Sequence, residues 1–418
     1  MRDLTQGTVA GFRSVSLDNP APAKDEVPVN EGEIRLRLIT AEPDAAHRAL
    51  KALEELEPTR LSRSLAYDQA RWTNRLTKFD GLISDPVLVQ WTAKKIGASA
   101  GQVSASRVEE YTKCPYLFFL RRVMKLEAWE EQGKVEGMDP LERGSAIHAI
   151  LERFLRASGD AVFQTPPAPE LQNQLDQQAR EELDEARPAG MPDLLWEVER
   201  DVLVGLLKEW LEFEKGRTQQ GMRIARLEQP FGKLDAGEQH PPFRIKAGRH
   251  TFDFRGRIDR IDVSGDGKRA RVIDYKTGTL PDAMANAKSR TPLMSGERIQ
   301  IVIYKGALSS LKGFEALESV EGEYLYLQPK DSRIVACSFT EEELSKASQN
   351  LPAILEVVGD GIEEGAFFLR TRGVVRPSGH CEFCEYLPVC GKDRVQREER
   401  KANDPAVRKF SKILEPLQ

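Results

Sequence analysis

The stretch GRIDRIDVSGDGKRARVIDYKTG, residues 256–278, decides the fold. Its two halves carry β-branched residues on either side of SGDGK at 264–268, where glycine and aspartate suit a tight turn. The pattern predicts two neighbouring strands. Residues two apart on a strand share a face, so Asp274 and Lys276 point the same way. Pairing of the two strands brings Asp259 alongside them. Asp-x14-Asp-x-Lys alone is weak, because charged residues commonly alternate on exposed strands. Here Ile258, Ile261, Val272 and Ile273 surround the charges, which marks the strands as buried. A buried Asp/Asp/Lys group is costly unless paired or bound to metal. Mg²⁺ favours such a site, taking a few carboxylates and leaving positions for water and phosphate oxygens. A cation held there polarises a phosphodiester and acidifies a water molecule.

Working outward, residues 243–263 and 269–276 read as strands, followed by a helix over about 296–311. A hairpin, EGEYLYLQPKDSRIVACSF, turns at Pro329 to Ser332, and a second helix covers about 341–359. Upstream, DPLERGSAIHAILERFLRA places Ile147, Ile150, Leu151, Phe154 and Leu155 on one helical stripe. From Pro169 to Gly216 the chain reads as all-helical. Leu194, Val198, Val202, Leu206 and Trp210 recur at helical spacing, and core packing is the expected reason. Residues 1–100 form a leading region, with a Pro- and Asp-rich start, a strand-like EIRLRLIT and a helix-like PDAAHRALKALEELE. Ser104 is placed to cap a helix. Residues 396–418 read as a charged helical tail.

Five cysteines occur, at 114, 337, 381, 384 and 390. Cys337, in the alternating run RIVACSF, reads as a small buried hydrophobe. Cys381, Cys384 and Cys390 are spaced C-x2-C-x5-C, which in a large chain without a secretory layout argues for metal over disulfide. Four thiolates with Cys114 suit structural zinc as well as an iron–sulfur cluster, and spacing alone does not separate them. His380, beside Cys381, is a candidate substitute ligand. His148 falls on or beside an apolar helical stripe, where a lone histidine is more often a hydrogen-bonded core residue than a ligand. Gln300 and Tyr304, four apart in RIQIVIYKGAL, share a helix face that could clamp a phosphate or base.

The net charge of −5 counts against passive coating of nucleic acid, whose affinity comes mostly from phosphate neutralisation. Local basic tracks remain: Lys113, Arg121, Arg122 and Lys125, and the stretch Lys392–Lys412, with eight basic and four acidic residues. Taken alone, each is more often a solvated helix face. No apolar run approaches the ~20 residues that span a bilayer, and no signal-peptide layout or G-x4-GK[ST] phosphate loop is present. Cytoplasm is the expected location, with no membrane association and no ATP hydrolysis by that loop.

Taken in order, Y-x2-CP-x3-FL, RG-x3-H, GRIDRID, IDYKTG, Q-x3-Y and C-x2-C-x5-C resemble the iron-staple nucleases of the PD-(D/E)XK superfamily. The likeness is in particular to the AddB-type C-terminal nuclease domain, with RecB nuclease domains related. The resemblance covers roughly residues 100–395. It implies an α/β, restriction-endonuclease-like fold: a mixed sheet flanked by helices, with a helical insertion over about 150–220. It also implies that the four cysteines tie the tail back to the start of a domain spanning 101–395.

The resemblance further implies that His148, Asp259 and Asp274, with the Tyr275 carbonyl, hold Mg²⁺ or Mn²⁺. Lys276 would be the catalytic lysine, Gln300 and Tyr304 would contact substrate, and Cys114, Cys381, Cys384 and Cys390 would hold a [4Fe–4S] cluster. Glu152 and Glu228 are expected to stand behind the ligands. The activity implied is a metal-dependent DNA nuclease, an exonuclease on single-stranded ends in double-strand-break repair. A helicase or helicase–nuclease subunit is the implied partner, and a non-catalytic DNA-binding scaffold is the alternative.

Overall fold

Alternating apolar side chains over 222–276 and 319–339 build the sheet that positions everything else. The computed structural model describes residues 60–127, 137–163, 169–217, 221–233, 240–288, 290–329, 333–372, 380–382 and 384–413, with Val27 and Arg37. The expected elements at 33–40 and 43–57 lie outside these, except Arg37, which is helical rather than extended. The chain divides into two compact units, Met1–Thr73 and Asn74–Gln418. In the first unit the described residues form helix α1 (Arg60–Trp72).

The second unit begins with α2 (Pro86–Ile96) and α3 (Ala105–Lys113). Ser104 caps α3 as expected, its hydroxyl accepting the Arg107 N–H at 3.3 Å. Three longer helices follow: α4 (Pro140–Ser158), α5 (Pro169–Glu185) and α6 (Asp193–Lys215). Next come strands β1 (Met222–Phe231), β2 (Phe243–Ala247), β3 (His250–Phe254), β4 (Gly256–Ser264) and β5 (Arg269–Lys276). Helix α7 (Gln300–Leu308) leads to β6 (Ser319–Gln328), β7 (Arg333–Phe339) and α8 (Glu341–Glu363). Short helices α9 (Arg394–Lys401) and α10 (Pro405–Ser411) complete the described chain.

Five strands pair in the order β1-β4-β5-β6-β7, while β2 and β3 form a separate hairpin. The β5–β6 pair is parallel and the other three are antiparallel. A parallel pair requires a crossover, and α7 lies within it. The result is the expected mixed sheet flanked by helices. One face packs on α4, α5 and α6 through Ile273, Tyr275, Leu325 and Leu327. The other carries Ala270 and Val272 against residues of α7 and α8.

Two sequence expectations change. Of the stripe on α6, Leu206 and Trp210 are buried, but Leu194, Val198 and Val202 are 72%, 58% and 41% exposed. Helix α6 instead turns Trp196, Leu203, Leu207 and Leu211 inward, where α5 offers Leu171, Leu175, Ala179 and Leu183. The helix expected from about residue 296 starts at Gln300. Left-handed backbone runs from Met294 and Ser295 through Gly296, at φ 41°, 54° and 93°, so no right-handed helix passes through residue 296.

The basic tail is largely committed to internal partners. Lys401 is buried, 3.1 Å from Asp80, and Arg397 donates to the Cys390 carbonyl at 2.6 Å. Arg121 and Arg122 both pair with Glu110, at 2.5 and 2.6 Å.

Deep in the sheet, Arg260 is fully buried and grips Asp262 with two bonds of 2.7 and 2.8 Å. Its remaining nitrogen lies 3.1 Å from the buried Glu214 of α6 and 3.3 Å from the Tyr275 hydroxyl. This cluster pins the helical layer to β4 and β5. Removing the cation strands two buried carboxylates, so we expect Arg260→Met to lower unfolding stability by about 3–5 kcal/mol. Urea denaturation measures this, and a loss below about 1 kcal/mol would mean the cluster does not hold the layers together.

Candidate active site

Five elements deliver the site. Helix α4 carries His148, β1 carries Glu228, β4 carries Asp259, β5 ends in Asp274–Tyr275–Lys276, and α7 presents Gln300 and Tyr304. Antiparallel pairing does the placement. Arg260 stands opposite Ile273, so Asp259 and Asp274 occupy the next step of that register. On the other side, Glu228 and Asp259 fall between the Leu227–Arg260 and Gln229–Ile258 pairs.

The histidine ring is held from both ends. Its Nε2 lies 3.2 Å from the Tyr275 carbonyl, and its Nδ1 lies 3.6 Å from Asp259 and 3.9 Å from Glu228. Asp259 also accepts the Tyr275 N–H at 2.8 Å. Among the described residues, His148, Glu228 and Asp259 form a metal-competent group, with one ligand atom from each within 4.8 Å of the others. Nitrogen, carboxylate and carbonyl donors suit a hard or borderline divalent cation.

Electrostatics point the same way. Burial raises the Asp259 pKa, and the neighbouring Asp274 raises it further. Burial alone would discharge His148, but the nearby Glu228, Asp259 and Asp274 carboxylates outweigh it and raise its pKa. A pocket that holds protons this firmly is short of positive charge, which a cation supplies by displacing them. Asp274 Oδ2 is buried and lacks an aligned hydrogen bond, although Lys276 Nζ lies 2.5 Å away as an ion pair.

Lys276 also donates to Gln300 Oε1 at 2.7 Å. Burial works against its charge, yet Asp274 and Glu109 prevail and raise its pKa, so it stays an ammonium. Tyr304 is buried against Phe231, and burial together with Asp274 and Asp259 drives its pKa far up, so its hydroxyl keeps the proton.

The structure therefore gathers His148, Asp259, Asp274, Tyr275, Lys276, Gln300 and Tyr304. It separates Glu152, whose carboxylate accepts from Arg156 at 2.6 Å. It promotes Glu228 from a supporting position into the converging group. Glu228 adopts φ 48°, unusual for a residue with a Cβ, and that backbone state is invisible in the motif RLEQPFG. Only the pairing of β1 with β4 would have revealed it.

Four of the cysteines lie near one another, with Cys114 and Cys384 in one apolar cluster. All are free thiols; Cys114 and Cys390 are buried, and Cys381 and Cys384 are half-buried. Burial pushes Cys390 up to about 12, with further repulsion from Cys114, Cys384 and Cys381, so the four sulfurs feel one another. Burial likewise pushes Cys114 up to about 11, opposed by the backbone N–H groups of Leu117, Arg370 and Tyr116. His380 is turned to the Arg370 carbonyl, 2.9 Å from its Nε2. Cys337 lies apart in the core, near the Met284 carbonyl.

The model of the PD-(D/E)XK nuclease superfamily matches residues 102–391. The chain is 27% identical over 270 residues to an ATP-dependent helicase/deoxyribonuclease subunit from Acetivibrio thermocellus, covering 61% of this chain and 22% of that one. It is 24% identical over 257 residues to the corresponding Clostridium botulinum protein, covering 59% and 21%. With the corresponding Ruminiclostridium cellulolyticum protein it shares 26% identity over 254 residues, covering 58% and 21%. The match thus spans about a fifth of these relatives. Among the described residues no helix is long and apolar enough to cross a membrane.

If Glu228 stands with the ligands, Glu228→Gln should weaken Mn²⁺ binding by about 10–100-fold, as Asp259→Asn should. Isothermal titration reads both, and wild-type affinity in Glu228→Gln would return that residue to a supporting role.

Proposed function

The chain belongs to the PD-(D/E)XK nuclease superfamily, and from that premise we propose that it is a Mg²⁺- or Mn²⁺-dependent deoxyribonuclease acting exonucleolytically on single-stranded ends. The observation that carries this reading is the convergence of His148, Glu228 and Asp259 beside the Asp274–Lys276–Gln300 chain. His148, Asp259, Asp274 and the Tyr275 carbonyl would hold the cation. When bound, that cation supplies the charge that polarises the scissile phosphate and acidifies a water molecule.

The chain's own groups do the rest. Lys276, kept charged and fixed from two sides, faces the negative charge that builds on the phosphate oxygens. Gln300 and the protonated Tyr304 offer hydrogen bonds to the strand. Water oxygen bonds to phosphorus while the P–O ester bond breaks, without a covalent link to the protein.

The chain's relatives include proteins named as subunits of ATP-dependent helicase/deoxyribonucleases. We place its work by analogy in double-strand-break end processing in the cytoplasm, beside a helicase or helicase–nuclease partner. Residues 101–395 would be the nuclease domain, with 150–220 as its helical insertion, 1–100 as a leading region and 396–418 as a tail. End-labelled single- and double-stranded DNA tests the activity. Wild-type protein with Mg²⁺ or Mn²⁺ should cleave, and Lys276→Ala should be slower by about 10²–10³-fold. Binding without cleavage in either metal would favour the scaffold reading, and equal cleavage of labelled RNA would remove the preference for DNA.

For the cysteines we propose a [4Fe–4S] cluster that ties the tail to the α3 end of the domain. The nearness of Cys114, Cys381 and Cys384 to Cys390, whose thiol they all repel, supports a shared centre. Protein purified anaerobically should be brown with about four irons per chain; a colourless zinc protein would overturn the assignment and leave the nuclease site standing.

A further inference from the structure

Helix α7 carries Gln300 and Tyr304, yet its sequence gives it no cap of its own. Ile299 occupies the position before the helix, where Ser, Thr, Asp or Asn would normally accept the first amides, and it makes no such bond. The acceptor comes from another helix. Glu109 of α3, only 9% exposed, accepts the Ile299 N–H at 2.7 Å and the Gln300 N–H at 3.3 Å.

The same contact reaches the site in one step. Gln300 Oε1 receives the Lys276 ammonium at 2.7 Å. The chain from Glu109 to Lys276 therefore runs through the backbone that Glu109 holds. Around it, α3 is docked onto the turn before α7. Thr112 Oγ1 donates to the Gly296 carbonyl at 2.8 Å, and Gly296, at φ 93°, has no room for a Cβ, which would meet Thr112 at 2.7 Å. Arg370 binds the Thr112 carbonyl at 2.5 Å and Glu297 at 2.8 Å, and its own carbonyl meets His380, next to Cys381. Helix α3 ends at Cys114.

We propose that Glu109 is a positioning residue for the nuclease reaction: by capping α7 in trans it fixes Gln300, and through Gln300 the Lys276 ammonium, relative to the cysteine-anchored helix α3. The proposal rests on the nuclease reading for its kinetic test, but not for its structural one. An oxygen acceptor is what the role needs. Glu109→Gln keeps that acceptor and removes the charge, whereas Glu109→Ala removes both. A shift of about 1 Å in a catalytic group can cost about 100-fold in rate.

The experiment measures kcat and KM on end-labelled DNA together with amide exchange at Ile299 and Gln300. Glu109→Ala should lose about 100-fold in kcat with KM within about twofold, and both amides should exchange faster. Glu109→Gln should recover most of the rate and the protection. Combining Glu109→Ala with Gln300→Ala should slow kcat no further than the worse single change.

The proposal is overturned if Glu109→Gln is as damaged as Glu109→Ala, if the two losses multiply, or if the amides exchange at the parental rate in Glu109→Ala. Should the alanine variant not fold, Glu109→Asp withdraws the acceptor by one methylene, and an unchanged kcat there overturns the assignment. A parent chain that cleaves no DNA in either metal defeats the nuclease reading, while amide exchange still decides whether Glu109 holds α7.

Discussion

Three carboxylates, Asp259, Asp274 and Glu228, are gathered where little water reaches, and charge removed from water is expensive unless opposite charge stands beside it. Asp274 is 2% and Asp259 8% exposed. The surrounding architecture answers that constraint. Helix α4 brings His148 over the strand ends, and β5 brings Lys276 against Asp274. The balance still leaves both His148 and Asp259 holding protons more firmly than in water. A rigid sheet tolerates such a cluster because its β-ladder fixes the spacing and the carboxylates cannot drift apart to lower their repulsion.

The same strand pair meets the constraint twice. One residue beyond Asp259, Arg260 points toward the opposite face and neutralises Asp262 and Glu214 under the helical layer. Tyr275, between the two catalytic candidates on β5, joins both systems: its carbonyl meets His148 and its hydroxyl meets Arg260. Alternation along β4 and β5 thus gives one face a reactive charge cluster and the other a structural one. A register slip by one residue would exchange them.

Much of this was legible in the residues. The turn SGDGK, the apolar neighbours of Asp259 and Asp274 and the i,i+2 placement of Lys276 led directly to adjacent strands and a shared face, because strand periodicity is local. Gln300 and Tyr304 were legible for the same reason, on a helix. What escaped depends on long-range pairing. Glu228 joins the group only because β1 lies against β4. Glu109 matters only because α3 ends against the turn preceding α7. The stripe on α6 misled because periodicity reports that a helix is amphipathic, not which of two apolar faces finds a partner. The late start of α7 follows from left-handed backbone that runs from Met294 through Gly296, of which only the glycine gives a hint.

The packing of the chain's two ends within the second unit has a consequence for how the protein is made. Leu76 donates to Asp404 across 328 residues, and Tyr386 to the Leu126 carbonyl across 260. On a ribosome adding roughly 5–20 residues per second, the segment bearing Cys114 waits tens of seconds for its counterpart. During that interval its apolar neighbours Leu117 and Leu120 are without Tyr386, the residue that later covers them. Closure of the domain waits for the segment from Tyr386 to Asp404, and the nascent chain must stay soluble until that segment arrives.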